Sequence, residues 1–326
     1  MLVESGPVIF IFGPTASFKT AIGIELAKMI GGEIISADSV QVYRGFNIGS
    51  AKPSREEQDG IPHHLVDLCD LNEHYTAYRF CHDAAEVIRE IRLRGSIPIV
   101  VGGTMMYIYS LQNGLHNGFG KDSALRESLQ KEAAESGWPR IHSRLKTLLP
   151  QRASKIDPQD GIRIQRAFEI LNQPTSSCSN NKSHFLGKKD KILNVMLNFQ
   201  DRKNLHLRIE TRLNRMLESG LIEEVRSIYE RCQDSLLNWE SIPPLRAPGY
   251  AHLSSYFAGR SSLDEAITKT LSAVRQLAKR QITWLKKWPE EQFQLDQIGS
   301  DLESLKRQKV NIIARLYSRI DYLQAV

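Results

Sequence analysis

The segment that decides the fold runs from residue 8 to residue 20 and reads VIFIFGPTASFKT. Its first five residues, Val8 to Phe12, form a continuous apolar run, which is typical of a buried strand in a parallel sheet. The other eight fit the phosphate-binding pattern GxxxxGK[ST] except that Phe18 stands where the second glycine belongs. Apolar residues then recur at helical spacing from Thr20 to Ile30. The sequence therefore predicts strand, phosphate loop and helix in the order that such a loop requires.

A loop of this kind holds phosphate oxygens with backbone N–H groups and with the positive end of the following helix. Lys19 would add a point charge, and the hydroxyl group of Thr20 would bind Mg²⁺. The alternative is an ordinary turn from strand to helix in which Ser17 caps the helix.

An aspartate that ends an apolar strand and binds Mg²⁺ is usual in enzymes that cleave nucleotides with such a loop. The best candidate strand, Ile97 to Val101, instead ends in Gly102 and Gly103, and Asp67 is only a weak substitute. We therefore expect the loop to hold a pyrophosphate that leaves, rather than an ATP that is cleaved.

Strand and helix signals alternate through the first third of the chain. Further strands are predicted at Glu33–Asp38 and Ile97–Val101, with a helix from Cys81 to Arg94 between them. Such alternation indicates a parallel sheet covered by helices. Another strand is predicted at Ile192–Phe199.

The alternation breaks near Gly118, where a helical stretch over residues 122–172 begins and is followed by a polar loop over residues 174–183. The predicted fold class is α/β, with a P-loop-type parallel sheet flanked by helices and an all-helical insertion domain. The predicted parts are a core formed by residues 1–118 and 191–299, an insertion of residues 119–190, and a tail of residues 300–326 whose role the sequence does not indicate.

The bulk properties are those of a globular protein of the cytoplasm. The 326 residues carry a formal net charge of +6, which is compatible with a nucleic-acid partner but does not demonstrate one. The four cysteines include no CxxC pair, so we expect reduced thiols. No secretory signal or membrane-spanning segment is predicted.

A second chemical motif follows the second predicted strand. Asp38 lies at the carboxyl end of that strand, where ligands bind in open parallel sheets. Its carboxylate could take a proton from an amine, and Gln41 could recognise an adenine edge through paired hydrogen bonds. The alternative is that Asp38 caps a helix.

Six blocks of the sequence together resemble the bacterial tRNA dimethylallyltransferases. In chain order they are Gly13–Thr20, Ser36–Arg44, Ile48–Pro53, Pro62–Leu65, Val101–Tyr107 and Ala278–Trp284. The resemblance implies transfer of a dimethylallyl group from dimethylallyl pyrophosphate to N6 of the adenosine beside the anticodon. It also implies dependence on Mg²⁺ without ATP, and a helical insertion that helps to grip the anticodon stem-loop of tRNA. We expect a monomer.

Site residues carry over from this resemblance at matching positions. The catalytic residues are Asp38, Thr15 and Arg212, with Asp38 as general base. The pyrophosphate-binding residues are Gly13, Thr15, Ala16, Ser17, Phe18, Lys19 and Thr20, of which Thr20 also binds the metal. The tRNA-binding residues are Asp38, Ser39, Val40, Gln41, Thr104, Arg126, Ile162, Arg163, Ile164, Gln165, Arg166, Arg246, Gly249, Tyr250, Lys279 and Arg280.

The chain departs from the family pattern at Phe18, Ile162, Pro248 and Ala251. Only Phe18 concerns the chemistry, because it stands in the phosphate loop. A left-handed backbone at this residue would cost roughly 1–2 kcal/mol. We expect its ring to pack on a neighbouring helix rather than to occupy the pyrophosphate space. Phe18→Gly is then expected to raise transfer by up to about tenfold.

Two basic segments have ordinary alternatives. Arg208 and Arg212 share one helical face, which could equally be a solvated, salt-bridged surface. The basic stretch over residues 274–288 could meet RNA phosphates, while we expect at least one of its tryptophans to pack in the core.

Three rival functions remain at this stage. The first is an adenylate isopentenyltransferase acting on a free nucleotide, which the insertion and the basic helix disfavour. The second is a small-molecule kinase, which the missing strand-end aspartate disfavours. The third is a catalytically impaired tRNA-binding relic, which only Phe18 and the other departures from the family pattern suggest.

Overall fold

A computed structural model describes residues 6–116, 122–172, 182–187, 189–199, 201–288 and 293–295 of the chain. By internal packing the chain divides into two compact units. Residues 114–184 form one of them, which we call the helical unit, and the described residues on either side form the sheet unit.

The strands within the described residues are short, and most of them belong to one sheet. They are β1 (Pro7–Phe12), β2 (Gly32–Ala37), β3 (His63–His64), β4 (Ile97–Gly102), β5 (Leu115–His116), β6 (Lys182–Ser183), β7 (Lys191–Phe199) and β8 (Phe293–Leu295). The sheet unit contains a six-stranded sheet in the order β3-β2-β4-β1-β7-β8, with every neighbouring pair parallel. This sheet and the helices against it confirm the predicted fold class.

Strand β1 lies at the centre because its sequence suits burial on both faces. All five residues from Val8 to Phe12 have 0% of their surface exposed. Ile11 is in register with Val101 of β4 on one side and with Val195 of β7 on the other. The four predicted strands are confirmed within a residue or two at their ends. Strands β3 and β8 were not predicted because two or three residues carry no periodic signal.

Twelve α-helices lie within the described residues. They are α1 (Lys19–Ile30), α2 (Arg55–Gln58), α3 (Ala77–Leu93), α4 (Met105–Asn113), α5 (Ser123–Ser136), α6 (Trp138–Leu148), α7 (Pro150–Ala153), α8 (Gly161–Leu171), α9 (Arg202–Glu218), α10 (Leu221–Asp234), α11 (Pro248–Phe257) and α12 (Leu263–Leu285). Two short 3₁₀ turns, Trp239–Ser241 and Pro243–Arg246, precede α11.

Capping residues set where two of these helices begin. Helix α3 begins at Ala77 rather than at the predicted Cys81, because the Thr76 side chain accepts a hydrogen bond from the Arg79 N–H. Helix α12 begins with a capping box formed by Ser262 and Glu265. It contains most of the basic stretch that the sequence analysis identified at residues 274–288.

The main core lies between the sheet and three helices. Ile9 and Ile11 of β1 share one buried cluster with residues of α1, α9 and α12. Side chains alternate along a strand, so Phe10 and Phe12 face the other way. There the Phe12 ring packs on Trp288, with 4.7 Å between ring centroids, and Trp288 is 7% exposed. Trp288 is therefore the tryptophan of the basic stretch that packs in the core, as expected.

The helical unit has a core of its own. Leu129 of α5, Ile141 and Leu145 of α6, and Ile164 and Phe168 of α8 are buried together. Strands β5 and β6 pair antiparallel in this unit. Most of the predicted polar loop at residues 174–183 and the whole tail after residue 299 lie outside the described residues. No helix among the described residues is long and apolar enough to span a membrane.

Candidate active site

Residues 13–18 connect β1 to α1 at the carboxyl edge of the sheet. Gly13 is required for close approach, because a Cβ atom there would lie 2.3 Å from the carbonyl oxygen of Leu197. Ala16 and Phe18 both adopt left-handed backbone conformations, with φ values of 63° and 61°. The backbone N–H groups of residues 16–18 have no acceptor within the described part of the chain. The loop thus presents unpaired donors, as a phosphate-binding loop must.

Ser17 does not cap the helix, so the alternative of an ordinary capped turn is wrong. Its hydroxyl group is buried and donates to the carbonyl oxygen of Pro14 at 2.8 Å. The N-cap position of α1 is Phe18, where no side chain accepts a capping hydrogen bond. The helix therefore begins with its positive end open to a ligand.

The Phe18 ring packs against α9, the outcome that the sequence analysis favoured. The guanidinium carbon of Arg208 lies 3.4 Å from the ring centroid. Phe18 also packs against the main core cluster, and it is one of the residues that line the cleft. Stacking of this kind attracts the guanidinium to the face of the aromatic ring.

Three cations surround the loop. The Lys19 ammonium donates to the Pro14 carbonyl oxygen at 2.6 Å. Arg208 Nε donates to the carbonyl oxygen of Ala16 at 3.0 Å, and Arg212 Nη1 donates to Thr15 Oγ1 at 3.4 Å. Among the described residues, none of the three forms an ion pair. The alternative of a solvated, salt-bridged face for the two arginines is therefore wrong.

Burial lowers the pKa values of all three cations, and the Arg212 charge adds to the effect on Lys19 and Arg208. Burial, followed by the Arg212 charge, lowers the pKa of Lys19 to about 7, while Asp38 opposes the shift. Burial and then Arg212 lower the pKa of Arg208 to about 10, and burial lowers the pKa of Arg212. Unpaired, partly desolvated cations of this kind are stabilised by an anionic ligand.

Asp38 directly follows β2 and begins a turn, not a helix, so the helix-cap alternative is wrong. Its Oδ1 accepts hydrogen bonds from the N–H groups of Val40 at 2.8 Å and Gln41 at 3.2 Å. Its Oδ2 has no hydrogen-bond partner in the described ranges. Thr104 supports the turn, since its Oγ1 accepts from the Ser39 N–H at 3.0 Å. One carboxylate oxygen is thus anchored and the other is available.

Gln41 has a different task from the one expected. Its Nε2 donates to the carbonyl oxygens of Ser50 and Ala51, both at 3.2 Å. Its Oε1 accepts from the hydroxyl group of Ser36 at 2.9 Å. Both amide hydrogens are used within the protein, which does not favour recognition of an adenine edge by this side chain. Contact of Gln41 with tRNA stays a prediction.

Gln281 on α12 is a site residue that the sequence analysis missed. Its Oε1 accepts from the Thr15 N–H at 2.8 Å, and its Nε2 donates to the Gly103 carbonyl oxygen at 2.9 Å. It therefore ties the phosphate loop to the end of β4. The available signal was its phase, since a glutamine on the same helical face as Ala278 and Leu285 is placed inside.

All of these groups line one cleft in the sheet unit, with a volume of about 860 Å³. The chemical groups in its wall are Thr15, Lys19, Thr20, Asp38, Gln41, Arg208, Arg212 and Gln281. Among the described residues no three His, Cys, Asp or Glu side chains cluster as a metal site. Thr20 lies in the cleft wall, and binding of Mg²⁺ by its hydroxyl group stays a prediction.

The predicted RNA contacts in the helical unit form local networks. The carboxylate of Glu169 accepts from Arg126 at 2.6 Å and from Arg166 at 2.8 Å. Although burial raises the pKa of Glu169, these guanidiniums lower it to about 2. Arg163 pairs with Asp160 at 3.2 Å.

Neighbouring positions in that unit differ in exposure. Ile162 is 74% exposed, whereas Ile164 and Gln165 are buried and present almost no surface to a ligand.

The predicted RNA contacts in the sheet unit also divide by exposure. Lys279 and Arg280 are exposed on α12, and Arg246 donates to the carbonyl oxygen of Glu240. Tyr250 is fully buried, with its hydroxyl group on Glu224, and Gly249 packs against the backbone of Gly49. RNA binding by the exposed residues stays a prediction.

Comparison with known proteins extends over nearly the whole chain. The family model described as IPP transferase matches residues 41–288, and the one described as Isopentenyl transferase matches residues 6–73. A tRNA dimethylallyltransferase of Coxiella burnetii is 41% identical over 286 residues, which is 87% of this chain and 90% of the relative. That of Nitrosomonas europaea is 42% identical over 287 residues, covering 87% and 89% of the two chains.

Solved structures agree with these relatives. The full-length tRNA isopentenylpyrophosphate transferase of Bacillus halodurans has a TM-score of 0.66 and 32% identity, covering 99% of this chain and 100% of that one. A eukaryotic dimethylallyltransferase solved while acting on tRNA has a TM-score of 0.70 and 28% identity. The match covers 90% of this chain and 74% of the eukaryotic one.

Proposed function

This chain belongs to the IPP transferase family of tRNA dimethylallyltransferases, and we propose that it transfers a dimethylallyl group from dimethylallyl pyrophosphate to N6 of the adenosine beside the anticodon. The relatives support prenylation of tRNA. The observation that carries the chemistry is the cleft in which Lys19, Arg208 and Arg212 surround a phosphate loop, with the Asp38 carboxylate in the same wall. Within the described ranges none of these three cations has an ion-pair partner.

The proposed reaction is a substitution at C1 of the allyl group. The lone pair of N6 forms the new N–C bond, the C1–O bond breaks, and pyrophosphate leaves with its electron pair. The exocyclic amine is a poor nucleophile because its lone pair is delocalised into the ring. Asp38 takes the proton that N6 loses, acting as general base through the oxygen that the 38–41 turn leaves free.

Charge on the leaving pyrophosphate is met by groups already in place. The N–H groups of residues 16–18 have no acceptor among the described residues, and Lys19 and Arg212 add positive charge beside the loop. Donors held in position before the reaction stabilise developing charge without reorganising. Arg208 contributes from the Ala16 side of the loop.

Magnesium fits this site as a companion of the substrate. The Thr20 hydroxyl would hold it, together with phosphate oxygens and water, because Mg²⁺ usually keeps several waters and binds few protein groups. When bound, the ion would neutralise part of the pyrophosphate charge.

The rivals fit less well. A free-nucleotide enzyme does not account for relatives that are tRNA dimethylallyltransferases over nearly their whole length. A kinase would need an aspartate at the end of β4, which ends instead at Gly102. A relic is disfavoured because the Phe18 ring packs on Arg208, while the N–H groups of residues 16–18 have no acceptor in the part of the chain that the structure describes.

The direct test incubates the protein with labelled dimethylallyl pyrophosphate, Mg²⁺ and unmodified tRNA, with AMP as the competing acceptor. We expect label in tRNA, located by nuclease digestion at the adenosine beside the anticodon. Label in AMP alone would contradict tRNA as the acceptor, and release of ADP from added ATP would support the kinase.

Phe18 adds a prediction in which two effects oppose each other. Glycine would relieve a left-handed backbone that costs roughly 1–2 kcal/mol. It would also remove the ring on which Arg208 stacks, a contact of about 0.5–2 kcal/mol. We now expect Phe18→Gly to stay within about tenfold of the wild-type transfer rate.

Phe18→Ala separates the two effects because it loses the ring but keeps the strained backbone. Phe18→Ala should therefore transfer the prenyl group roughly tenfold more slowly than Phe18→Gly. Phe18→Leu keeps apolar volume without a ring and serves as the matched control. Equal rates for alanine and glycine would refute the backbone cost. A wild-type protein without activity, rescued by glycine, would identify a relic.

A further inference from the structure

One carboxylate on α10 holds the segment that forms a wall of the cleft. Glu224 Oε2 accepts hydrogen bonds from the N–H groups of Asn47 at 3.0 Å and Ile48 at 2.7 Å. Its Oε1 accepts from the N–H of Gly49 at 3.0 Å and from the Tyr250 hydroxyl at 2.7 Å. Three consecutive backbone donors around one anion form a concave cradle of the kind that binds anions. Here the anion is a side chain of the protein itself.

The fit around this carboxylate is tight. A Cβ atom on Gly49 would lie 2.6 Å from the Tyr250 ring, so only glycine fits at this position. Tyr250 is fully buried, and its ring packs on Phe46 with 4.8 Å between centroids. Burial, followed by the charge of Glu224, raises the pKa of Tyr250, which therefore stays a hydrogen-bond donor.

Hydrogen bonds continue from this segment to Asp38. The carbonyl oxygens of Ser50 and Ala51, directly after the cradle, accept both hydrogens of the Gln41 amide. The backbone N–H of Gln41, with that of Val40, donates to Asp38 Oδ1. A continuous path therefore leads from Glu224 through residues 47–51 and Gln41 to the carboxylate.

We infer that Glu224 is a positioning residue for the base Asp38, which acts by holding residues 47–51 and, through Gln41, the 38–41 turn. The inference rests on the proposed function only in assigning Asp38 as the base. Glu224 touches neither reacting atom. It sets the direction in which the free Oδ2 of Asp38 points. Misplacement of a reacting group by about 1 Å can cost up to about 10²-fold in rate.

The principal variant is Glu224→Ala, with Glu223→Ala as the matched control. Glu223 is the preceding residue of α10, is exposed, and has no hydrogen bond to residues 47–49. We expect Glu224→Ala to lower kcat for transfer by about 10- to 10²-fold, with KM for dimethylallyl pyrophosphate nearly unchanged. Glu223→Ala should match the wild type. Tyr250→Phe removes one of four hydrogen bonds and should have a smaller effect.

Two further measurements separate positioning from general destabilisation. In single-turnover assays, Glu224→Ala should cost little more in an Asp38→Asn background, because its effect passes through the lost base. Hydrogen exchange of the peptide over residues 38–52 should accelerate in Glu224→Ala and not in Glu223→Ala.

Each outcome bears on the inference. The inference would be overturned if Glu224→Ala lowered the single-turnover rate equally in the wild-type and Asp38→Asn backgrounds. Unchanged hydrogen exchange at residues 38–52 in Glu224→Ala would also overturn it. Absence of wild-type transfer to tRNA would instead contradict the proposed function, and the exchange measurement would still decide whether Glu224 holds the turn.

Discussion

Asp38→Ala will lower prenyl transfer by about 10² to 10⁴-fold, the range that a positioned general base contributes. The carboxylate acts on the amine and not on the leaving group, so pyrophosphate binding should remain nearly intact. Removal of a negative charge beside Lys19 and Arg212 also removes its repulsion of the bound anion. The measurements are single-turnover transfer to tRNA and calorimetric titration with pyrophosphate.

Asp38→Asn is the necessary companion because Asp38 has two roles. Its Oδ1 also holds the 38–41 turn through the N–H groups of Val40 and Gln41. An amide oxygen can still accept these bonds but cannot take the proton. We expect Asp38→Asn to lower prenyl transfer by the same factor of about 10² to 10⁴ while the 38–41 turn is preserved. Transfer within about twofold of the wild type by either variant would refute the base assignment.

Local sequence patterns predicted the parts of the site that lie close together along the chain. The apolar run that forms β1, the loop after it and the start of α1 follow from residues 8–20 alone. Asp38 was found because it ends a strand of a parallel sheet, where ligands bind. These inferences need only periodicity and a rule about sheet edges.

Contacts between distant segments could not be predicted in the same way. Gln281 lies 266 positions from Thr15, and Glu224 lies 175 positions from Gly49. Nothing in either helix indicates which backbone groups it will meet. Gln41 shows the same limit, since the sequence shows an amide but not the carbonyl groups that occupy it.

Arg212→Ala should weaken binding of dimethylallyl pyrophosphate and slow its transfer, with little change in affinity for tRNA. A hydrogen bond to a charged partner contributes about 1.5–3 kcal/mol, which corresponds to roughly 10- to 10²-fold in affinity. Arg212→Lys keeps the charge but not the planar fork and should lie between. Arg226→Ala is the charge-matched control, because Arg226 stacks on Phe257 and does not line the cleft.

The pH dependence of pyrophosphate binding tests whether Arg212 acts beside Lys19. In the free enzyme Lys19 has a pKa of about 7, lowered first by burial and then by Arg212. Lys19 loses its charge as pH rises through 7, so binding above that pH must take up a proton, and affinity falls. Arg212→Ala removes one of the two influences that lower the pKa of Lys19. The fall in pyrophosphate affinity should therefore occur at a higher pH. Proton uptake is obtained from the heats of pyrophosphate binding in two buffers of different ionisation enthalpy. The titration of pyrophosphate itself contributes equally to the wild type and to Arg212→Ala. An unchanged pH profile with weakened tRNA binding would instead place Arg212 on an RNA-facing surface.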